Sequence, residues 1–403
     1  MQSAAQMWLV YSLTHDPLWP PLMLIAATGP TLLFGPLGGT VADRVPKKKL
    51  IIAVQSIFLF NAIVLAVLVG TGLATPWSLL SLAFINGIVG SFDLPARLAY
   101  VPELIPKEDL INAISLNSLL FNVARALGPA LAALLFLLAD AVLQPLDMPP
   151  EDSLKWGCTF CFGFNALSYL AVIAALLGMP STPAVAKSTE RGSAWDGFRF
   201  VWKHRPLAGL LACTALISIV GWPALTLFPA YTRGVLHLAE KQYSLLVSAL
   251  GFGALVAALT NAAFGTLRRH PHFLLIGAML TAVGVGVLSR VNQLYPAMFG
   301  ASIFGFGMIF YLSTGQSLLQ GQVTPALRGR VLALWPMALG GAAIVGHLAT
   351  GAAARIWDVS VVLSIMSVGL ALGTIAIAFL RRSLTRAAGR VAEVPLDTST
   401  QLG

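Results

Sequence analysis

The sequence predicts an all-α membrane protein of about a dozen helices, because its composition cannot cover a water-exposed surface. Only 10% of the 403 residues are charged and 57% are hydrophobic, with a mean hydropathy of +0.82. A soluble domain carries roughly 25% charged residues. Unbroken apolar runs of about 20 residues recur along the chain, which is the helix length that a ~30 Å hydrocarbon core requires. A β-barrel would show short alternating segments instead.

The helices follow one another from the first residue. Residues 1–14 make about half a membrane span, roughly 21 Å of helix. Eleven complete apolar runs come next, at residues 19–42, 50–72, 77–98, 110–139, 157–179, 207–231, 243–266, 273–290, 296–320, 329–354 and 359–380. The long connection at residues 180–206 contains an amphipathic stretch, residues 195–204, that is suited to a membrane surface.

This order predicts four regions. They are an N-terminal helix bundle at 1–179 with an incomplete first helix, a cytoplasmic linker at 180–206, a C-terminal helix bundle at 207–382 and a polar tail at 383–403. The two bundles are similar in sequence at one point. VPELIPKEDLINA from Val101 and VTPALRGRVLAL from Val323 each precede a glycine-containing apolar helix. Parallel repeats of this kind hold a substrate site at their interface.

The basic residues indicate orientation rather than nucleic-acid binding, although the net charge is +9. They stand in short clusters between apolar runs, and alternate assignment of the connections puts 19 of the 25 Lys and Arg residues on one side. The positive-inside rule makes that side cytoplasmic. We therefore expect a multi-pass protein of the inner (plasma) membrane with a cytoplasmic C-terminus, acting as a monomer and without a nucleic-acid partner.

The segment GTVADRVPKKK, residues 39–49, predicts a gate between the second and third spans. Gly39 would let two helices approach closely. Asp43, at a helix end beside Arg44, Lys47 and Lys48, can form a charge-assisted latch. A basic stop-transfer cluster would explain the lysines, but it would not explain Gly39 and Asp43 together.

Polar residues recur at helical spacing in two spans, which places each set on one helix face. The fourth span has Asn86, Gly90, Asp93 and Arg97, and the fifth has Ser115, Ser118, Asn122, Arg125 and Pro129. An arginine as deep as Arg125 costs at least ~2.5–3.5 kcal/mol to insert, so it should face the bundle interior. It can contact a substrate or coupling anion, or it can bond backbone carbonyls as a structural residue.

Further polar and aromatic residues could line a cavity, namely Gln2, Gln6, Trp222, Tyr311 and Gln316. Each of them could equally hold helices together. His347 could carry a proton or pack as a hydrogen-bonded histidine. The chain shows no metal-ligand cluster, nucleophile–base pair or phosphate loop at a common depth, so we expect neither an enzyme nor a cofactor.

Residues 39–49 resemble the GxLaDrxGrrk signature of the major facilitator superfamily, with Pro46 where that family often has glycine. SFDLPARLAYVPELIPKEDLINAISLNSLLFNVARALGPALA, residues 91–132, is similar to the subgroup that includes the enterobactin exporter and related drug exporters. The resemblance implies two six-helix bundles, here about 11 complete transmembrane helices plus a partial first one that lacks roughly 20 residues of its relatives' length. It also implies alternating access.

The resemblance assigns roles to several of these residues. The cytoplasmic gate would comprise Asp43 facing the start of the eleventh span, with the full set Gly39, Asp43, Arg44, Lys47, Lys48, Asp93, Arg97, Gly329 and Arg330. Independently of the resemblance, the polar and aromatic residues chosen above are the candidate substrate or coupling contacts, namely Gln2, Gln6, Asn86, Ser118, Asn122, Arg125, Trp222, Tyr311 and Gln316. Gly128 and Pro129 resemble a helix-packing motif of the fifth span.

The leading hypothesis is export of small amphipathic molecules, such as drugs or siderophore-like compounds, with proton coupling left open. The same subgroup also accommodates lysophospholipid transport, which is the first alternative. A membrane-embedded enzyme or receptor is the second, and the sequence offers no site for it.

Overall fold

The computed structural model describes residues 2–104, 106, 109, 116, 123–124, 127–128, 131–139, 141–142, 150–180, 199–202, 204–263, 271–321, 323 and 325–391. Every regular element in these ranges is helical. Within the first half, the helices are α1 (Gln2–Thr14), α2 (Trp19–Arg44), α3 (Lys47–Gly70), α4 (Pro76–Leu104), α5 (described at 131–139) and α6 (Pro150–Gly178).

In the second half, the seventh span is divided into three pieces. These are α7 (Arg205–Val220), the 3₁₀ turn η1 (Trp222–Leu227) and α8 (Phe228–Gly234). The helices that follow are α9 (Glu240–Ala263), α10 (Pro271–Leu288), α11 (Leu294–Gly321), α12 (Pro325–Ile356) and α13 (Val359–Val391).

Proline sets several helix starts. It lies in the first turn of α2, α7, η1 and α8, where its missing N–H has no partner to lose and its fixed φ already suits a helix. The chain leaves α3 through Thr71, whose N–H bonds the carbonyl of Val67, and Gly72 follows with φ +75°. That left-handed conformation suits glycine, and it turns the chain toward α4.

The helix contacts repeat between the halves. In the first half α2 packs on α4, and α3 packs on α4 and α6. In the second half α9 packs on α11, and α10 packs on α11 and α13. Each helix of the second set stands six spans after its counterpart, as expected for two related bundles. The predicted boundaries at 1–179, 180–206, 207–382 and 383–403 remain predictions.

Glycines bring the central helix pairs together. A Cβ added at Gly38 of α2 would lie 2.0 Å from the Ser91 carbonyl oxygen of α4. In the other half, a Cβ at Gly253 would lie 1.9 Å from the Ser302 carbonyl oxygen of α11. Small residues at such crossings allow close backbone packing where lipid gives no hydrophobic drive for helix association.

Eight helices in the described ranges are long and apolar enough to cross a membrane, and a shorter apolar helix runs from His272 to Leu288. Large apolar side chains point outward, for example Phe60 (68% exposed) and Phe299 (66% exposed). Such a surface suits a lipid solvent. The predicted total of eleven complete spans stays a prediction, because much of the fifth span, the apolar run at residues 110–139, lies outside the described residues.

Candidate substrate cavity and gates

The two halves meet along α2 and α12. Leu18, just before α2, packs against Gly351, where an added Cβ would lie 2.8 Å from the Leu18 Cδ1 atom. Further along, the Leu32 side chain lies 3.6 Å from the Cβ position of Gly340. Nearer to the basic residues 44–49, Leu33 and Leu37 of α2 are 75% and 55% exposed. The described contacts between α2 and α12 thus run from the start of α2 to its middle.

A cleft of about 290 Å³ lies in the second half, at the break in the seventh span. Pro223 supplies no N–H, and the chain passes from α7 into the 3₁₀ turn that carries Trp222. Residues near the end of α7 and near the middle of α10, α11 and α12 complete the walls. The cleft is lined by Ile217, Ser218, Gly221, Trp222, Thr281, Met308, Tyr311, Leu312 and Leu339. The structure thus brings together the predicted residues Trp222 and Tyr311.

Most polar groups at this cleft already have a partner. The Tyr311 hydroxyl shares a hydrogen bond with Thr214 Oγ1 at 3.2 Å, and Thr281 donates to the Gly277 carbonyl at 2.8 Å. Ser218 is 2% exposed, and its Oγ has no hydrogen-bond partner among the described residues. The cleft therefore offers an apolar, partly aromatic wall with one hydroxyl left for a ligand.

Close by, His347 of α12 is buried against the 3₁₀ turn. Its Nδ1 lies 3.5 Å from Thr226 Oγ1, at the limit of a hydrogen bond. This contact agrees with the packing interpretation of His347. Its predicted alternative role in proton transfer remains untested.

An ion pair connects the halves where α2 begins. Arg355, at the end of α12, donates from Nε to Asp16 Oδ1 at 2.8 Å, and its second nitrogen bonds Oδ2. His15 reverses the chain after α1 with φ 53°, and the Leu18 N–H bonds Asp16 Oδ1 at 3.0 Å. The side-chain hydrogen bond from Arg355 holds the pKa of Asp16 below its ordinary value, despite partial burial. The carboxylate therefore stays ionised at neutral pH.

At the opposite end, the basic residues make contacts within the first half. Lys47 is buried and lies 2.8 Å from the Glu103 carboxylate of α4. Lys48 Nζ donates to the Leu177 carbonyl, 3.2 Å away at the end of α6. Arg44 is exposed. The lysines thus hold α3 to α4 and α6, a structural role that the predicted gate did not include.

Close approach in this segment occurs one residue earlier than predicted. Gly38, not Gly39, faces the backbone of α4 at Ser91. A Cβ at Gly39 would meet no atom within 4 Å among the described residues. The reason is the helical rotation of about 100° per residue, which turns Gly39 away from α4. Among the described residues the close helix contact is therefore at Gly38, and the role of Gly39 in a gate remains a prediction.

Asp93 and Arg97, also predicted for the gate, bond to each other. Arg97 Nε lies 2.8 Å from Asp93 Oδ2, and Gln55 Nε2 of α3 donates to Asp93 Oδ1 at 2.9 Å. All three residues belong to the first half. These described bonds join α3 to α4, and the role of Asp93 and Arg97 in a gate remains a prediction.

The predicted polar residues of the first helix divide into two groups. Gln2 accepts a hydrogen bond from Asn165 Nδ2 of α6, which makes it a helix-packing contact. Gln6 is 6% exposed, and its Nε2 has no partner in the part of the chain that the structure describes. Asn86 Oδ1 of α4 is similarly buried and unpartnered there. Gln6 and Asn86 thus keep free polar atoms.

Other predicted residues cannot be placed. Ser118, Asn122, Arg125 and Pro129 lie outside the described residues, as do the side chains of Asp43 and Arg330 and the surroundings of Gly329. Gly128 is helical and half-buried, and Gln316 is exposed on α11. Gln316 does not line the cleft described above.

Comparison with known proteins identifies the family and the fold of this chain. The sequence profile of the transmembrane secretion effector family, a group of major facilitator transporters, matches residues 1–398. The solved structure of the nucleoside transporter NupG superposes with a TM-score of 0.69 at 14% identity, covering 93% of this chain and 96% of that one. At that identity the likeness shows the fold alone, which is the major facilitator fold.

Three characterised relatives are similar over most of the chain. The enterobactin exporter EntS of Citrobacter koseri is 24% identical over 332 residues, 81% of this chain and 74% of the relative. The staphyloferrin A transporter of Staphylococcus aureus is 24% identical over 384 residues, 94% and 91% of the two chains. Macrolide efflux protein A of Streptococcus pyogenes is 23% identical over 316 residues, 76% and 73%. The chain belongs to the transmembrane secretion effector family, whose members are major facilitator transporters and not enzymes.

Proposed function

We propose that this protein exports small amphipathic molecules, drugs or siderophore-like compounds, across the inner membrane. The observation that carries the proposal is the chemistry of its relatives. Proteins named for the transport of enterobactin, staphyloferrin A and macrolides align with most of the chain. These names cover siderophores and a class of antibiotics, so the proposal specifies a small exported molecule and not one compound.

The cleft beside Trp222 supports this proposal. Ligand sites are concave and mostly apolar, with a small number of placed polar groups. Such a surface is provided by Ser218 near the end of α7, Trp222 at the start of the 3₁₀ turn and Tyr311 near the middle of α11. The cleft's empty space of about 290 Å³ includes volume that is open to the surroundings, so only a small group fits inside it. It would therefore take one part of a large cargo.

The proposal includes alternating access by a monomer whose C-terminus is cytoplasmic, with residues 180–206 as the linker between the halves. Proton coupling of export is an additional hypothesis that can be measured separately. The candidate proton carrier is His347, which is buried beside Thr226 of the 3₁₀ turn. Export measured with and without an imposed pH gradient, on wild type and His347→Gln, would test the coupling.

Expression in an efflux-deficient bacterium should lower macrolide accumulation or raise enterobactin release. Trp222→Ala should reduce export about tenfold, since losing an aromatic contact of ~1.5 kcal/mol or more changes binding by that factor. Trp77 is 69% exposed, so Trp77→Ala is the matched control and should keep wild-type export. Wild-type expression without any change in either cargo, at confirmed membrane abundance, would rule the proposal out.

A further inference from the structure

The first inference concerns Ser218 and deepens the proposed function. Serine hydroxyls in helices usually bond a carbonyl one turn back, as Ser364 does with the Ser360 carbonyl at 2.8 Å. Ser218 Oγ makes no such bond among the described residues, although the side chain is 2% exposed and lines the cleft. A buried hydroxyl without a partner costs free energy, so a ligand group can supply a bond that the protein lacks.

We infer that Ser218, which lines the cleft together with Trp222 and Tyr311, binds an uncharged hydrogen-bonding group carried on an apolar ring. The lining residues contain no charged side chain, and they include two aromatic rings and Met308. A charged group would lose its hydration here without gaining a counter-ion. A neutral ring with one hydroxyl or carbonyl would instead keep both its apolar contacts and its hydrogen bond.

Binding of a macrolide to the purified protein, measured as Kd from tryptophan fluorescence, tests this inference. Ser218→Ala should raise Kd about two- to tenfold, the range for one net hydrogen bond. Ser364→Ala, whose hydroxyl already has a partner, should leave Kd unchanged. An unchanged Kd in Ser218→Ala, or no binding to the wild type, would overturn the inference. Binding with no export in cells would instead refute the proposed function alone.

A second, independent inference comes from the ion pair at the start of α2. Asp16 belongs to the first half and Arg355 to the second, and their side chains bond through two nitrogen–oxygen contacts. Three further ion pairs, Lys47–Glu103, Asp93–Arg97 and Asp152–Lys155, each lie within the first half. Asp16–Arg355 differs from these three because it joins the two halves.

The apolar contacts beneath this pair close the same end. Gly351 packs on Leu18, and Trp8 of α1 stacks on Tyr243 of α9 with ring centroids 5.0 Å apart. Further along α2, Leu33 and Leu37 are exposed. We propose that Asp16–Arg355 is a latch that holds this end shut and must break when the halves open there.

A reporter cysteine tests the latch without any substrate. Ala4 is 8% exposed and packs with residues of the second half, so Ala4→Cys in a cysteine-free background should react slowly with an impermeant maleimide. Asp16→Asn and Arg355→Gln should each raise the labelling rate from the Asp16 side about fivefold, the scale of a partly exposed ion pair. Right-side-out and inside-out vesicles identify that side.

The double variant separates a latch from two unrelated effects. If the residues act as a pair, Asp16→Asn with Arg355→Gln should label like either single variant, whereas independent effects would multiply. Asp152→Asn removes an ion pair within α6 and should leave labelling unchanged. Arg355→Lys keeps the charge and serves if Arg355→Gln does not fold. Unchanged labelling in the single variants, or multiplied effects in the double, would overturn the latch.

Discussion

A single methyl group at Gly38 is expected to destabilise the protein by about 1–3 kcal/mol or more, the usual cost of overpacking. The Cβ of Gly38→Ala would lie 2.0 Å from the Ser91 carbonyl oxygen and 2.8 Å from its carbon. These are backbone atoms of α4, so they cannot move aside without separating the two helices. The melting temperature in detergent and the amount of protein in the membrane would measure the effect.

The neighbouring residue provides the control. Gly39→Ala makes the same chemical change in the same helix, where an added Cβ meets no described atom within 4 Å. We expect Gly39→Ala to melt like the wild type. Equal melting temperatures for Gly38→Ala and the wild type would contradict the packing of α2 on α4.

Asp43→Asn is expected to lower export about tenfold or more while leaving the protein in the membrane. Asparagine keeps the shape of the side chain but loses the charge, and hydrogen bonds to charged groups contribute ~1.5–3 kcal/mol. The predicted partners are the start of α12 at Gly329 and Arg330. Efflux of a macrolide at equal membrane abundance is the measurement, with Asp152→Asn as an acid-to-amide control at the start of α6. Wild-type efflux from Asp43→Asn would refute the gate.

The sequence was sufficient for the helical architecture, because apolar runs of span length have few alternatives in a bilayer. It predicted the region of the seventh span but not its break. Pro223 and Pro229 signal an interruption, yet the run from 207 to 231 remains apolar throughout and reads as one helix. The 3₁₀ turn that carries Trp222 therefore emerged only in the structure.

Polar residues at helical spacing were harder to interpret. Of the residues chosen as cavity candidates, Trp222 and Tyr311 line one cleft, whereas Gln2 bonds Asn165. Helical spacing fixes which residues share a face, and it does not fix whether a neighbouring helix or a cavity lies opposite. The same rotation separates Gly38 from Gly39.

The ion pair between Asp16 and Arg355 had no signal in the sequence. The two residues are 339 positions apart, and charges at helix ends are first interpreted as orientation signals. Their meeting depends on the register of α2 against α12, which small contacts such as Leu18 on Gly351 determine. The predicted topology would have placed Asp16 and Arg355 on the same side of the membrane, but it would have allowed several other pairs of opposite charge there as well.

The position of α1 has a consequence for biogenesis. Ala5, Leu9 and Val10 pack into the first half, whereas Ala4 and Trp8 pack with residues of the second half. The ribosome synthesises Trp8 long before Tyr243. The side of α1 that carries Trp8 is therefore in the membrane before the helix that contacts it has been made. Chains of this size tend to assemble unit by unit during synthesis. Here the first bundle alone would display an aromatic side chain without its stacking ring, and maturation ends only when the second bundle inserts beside it.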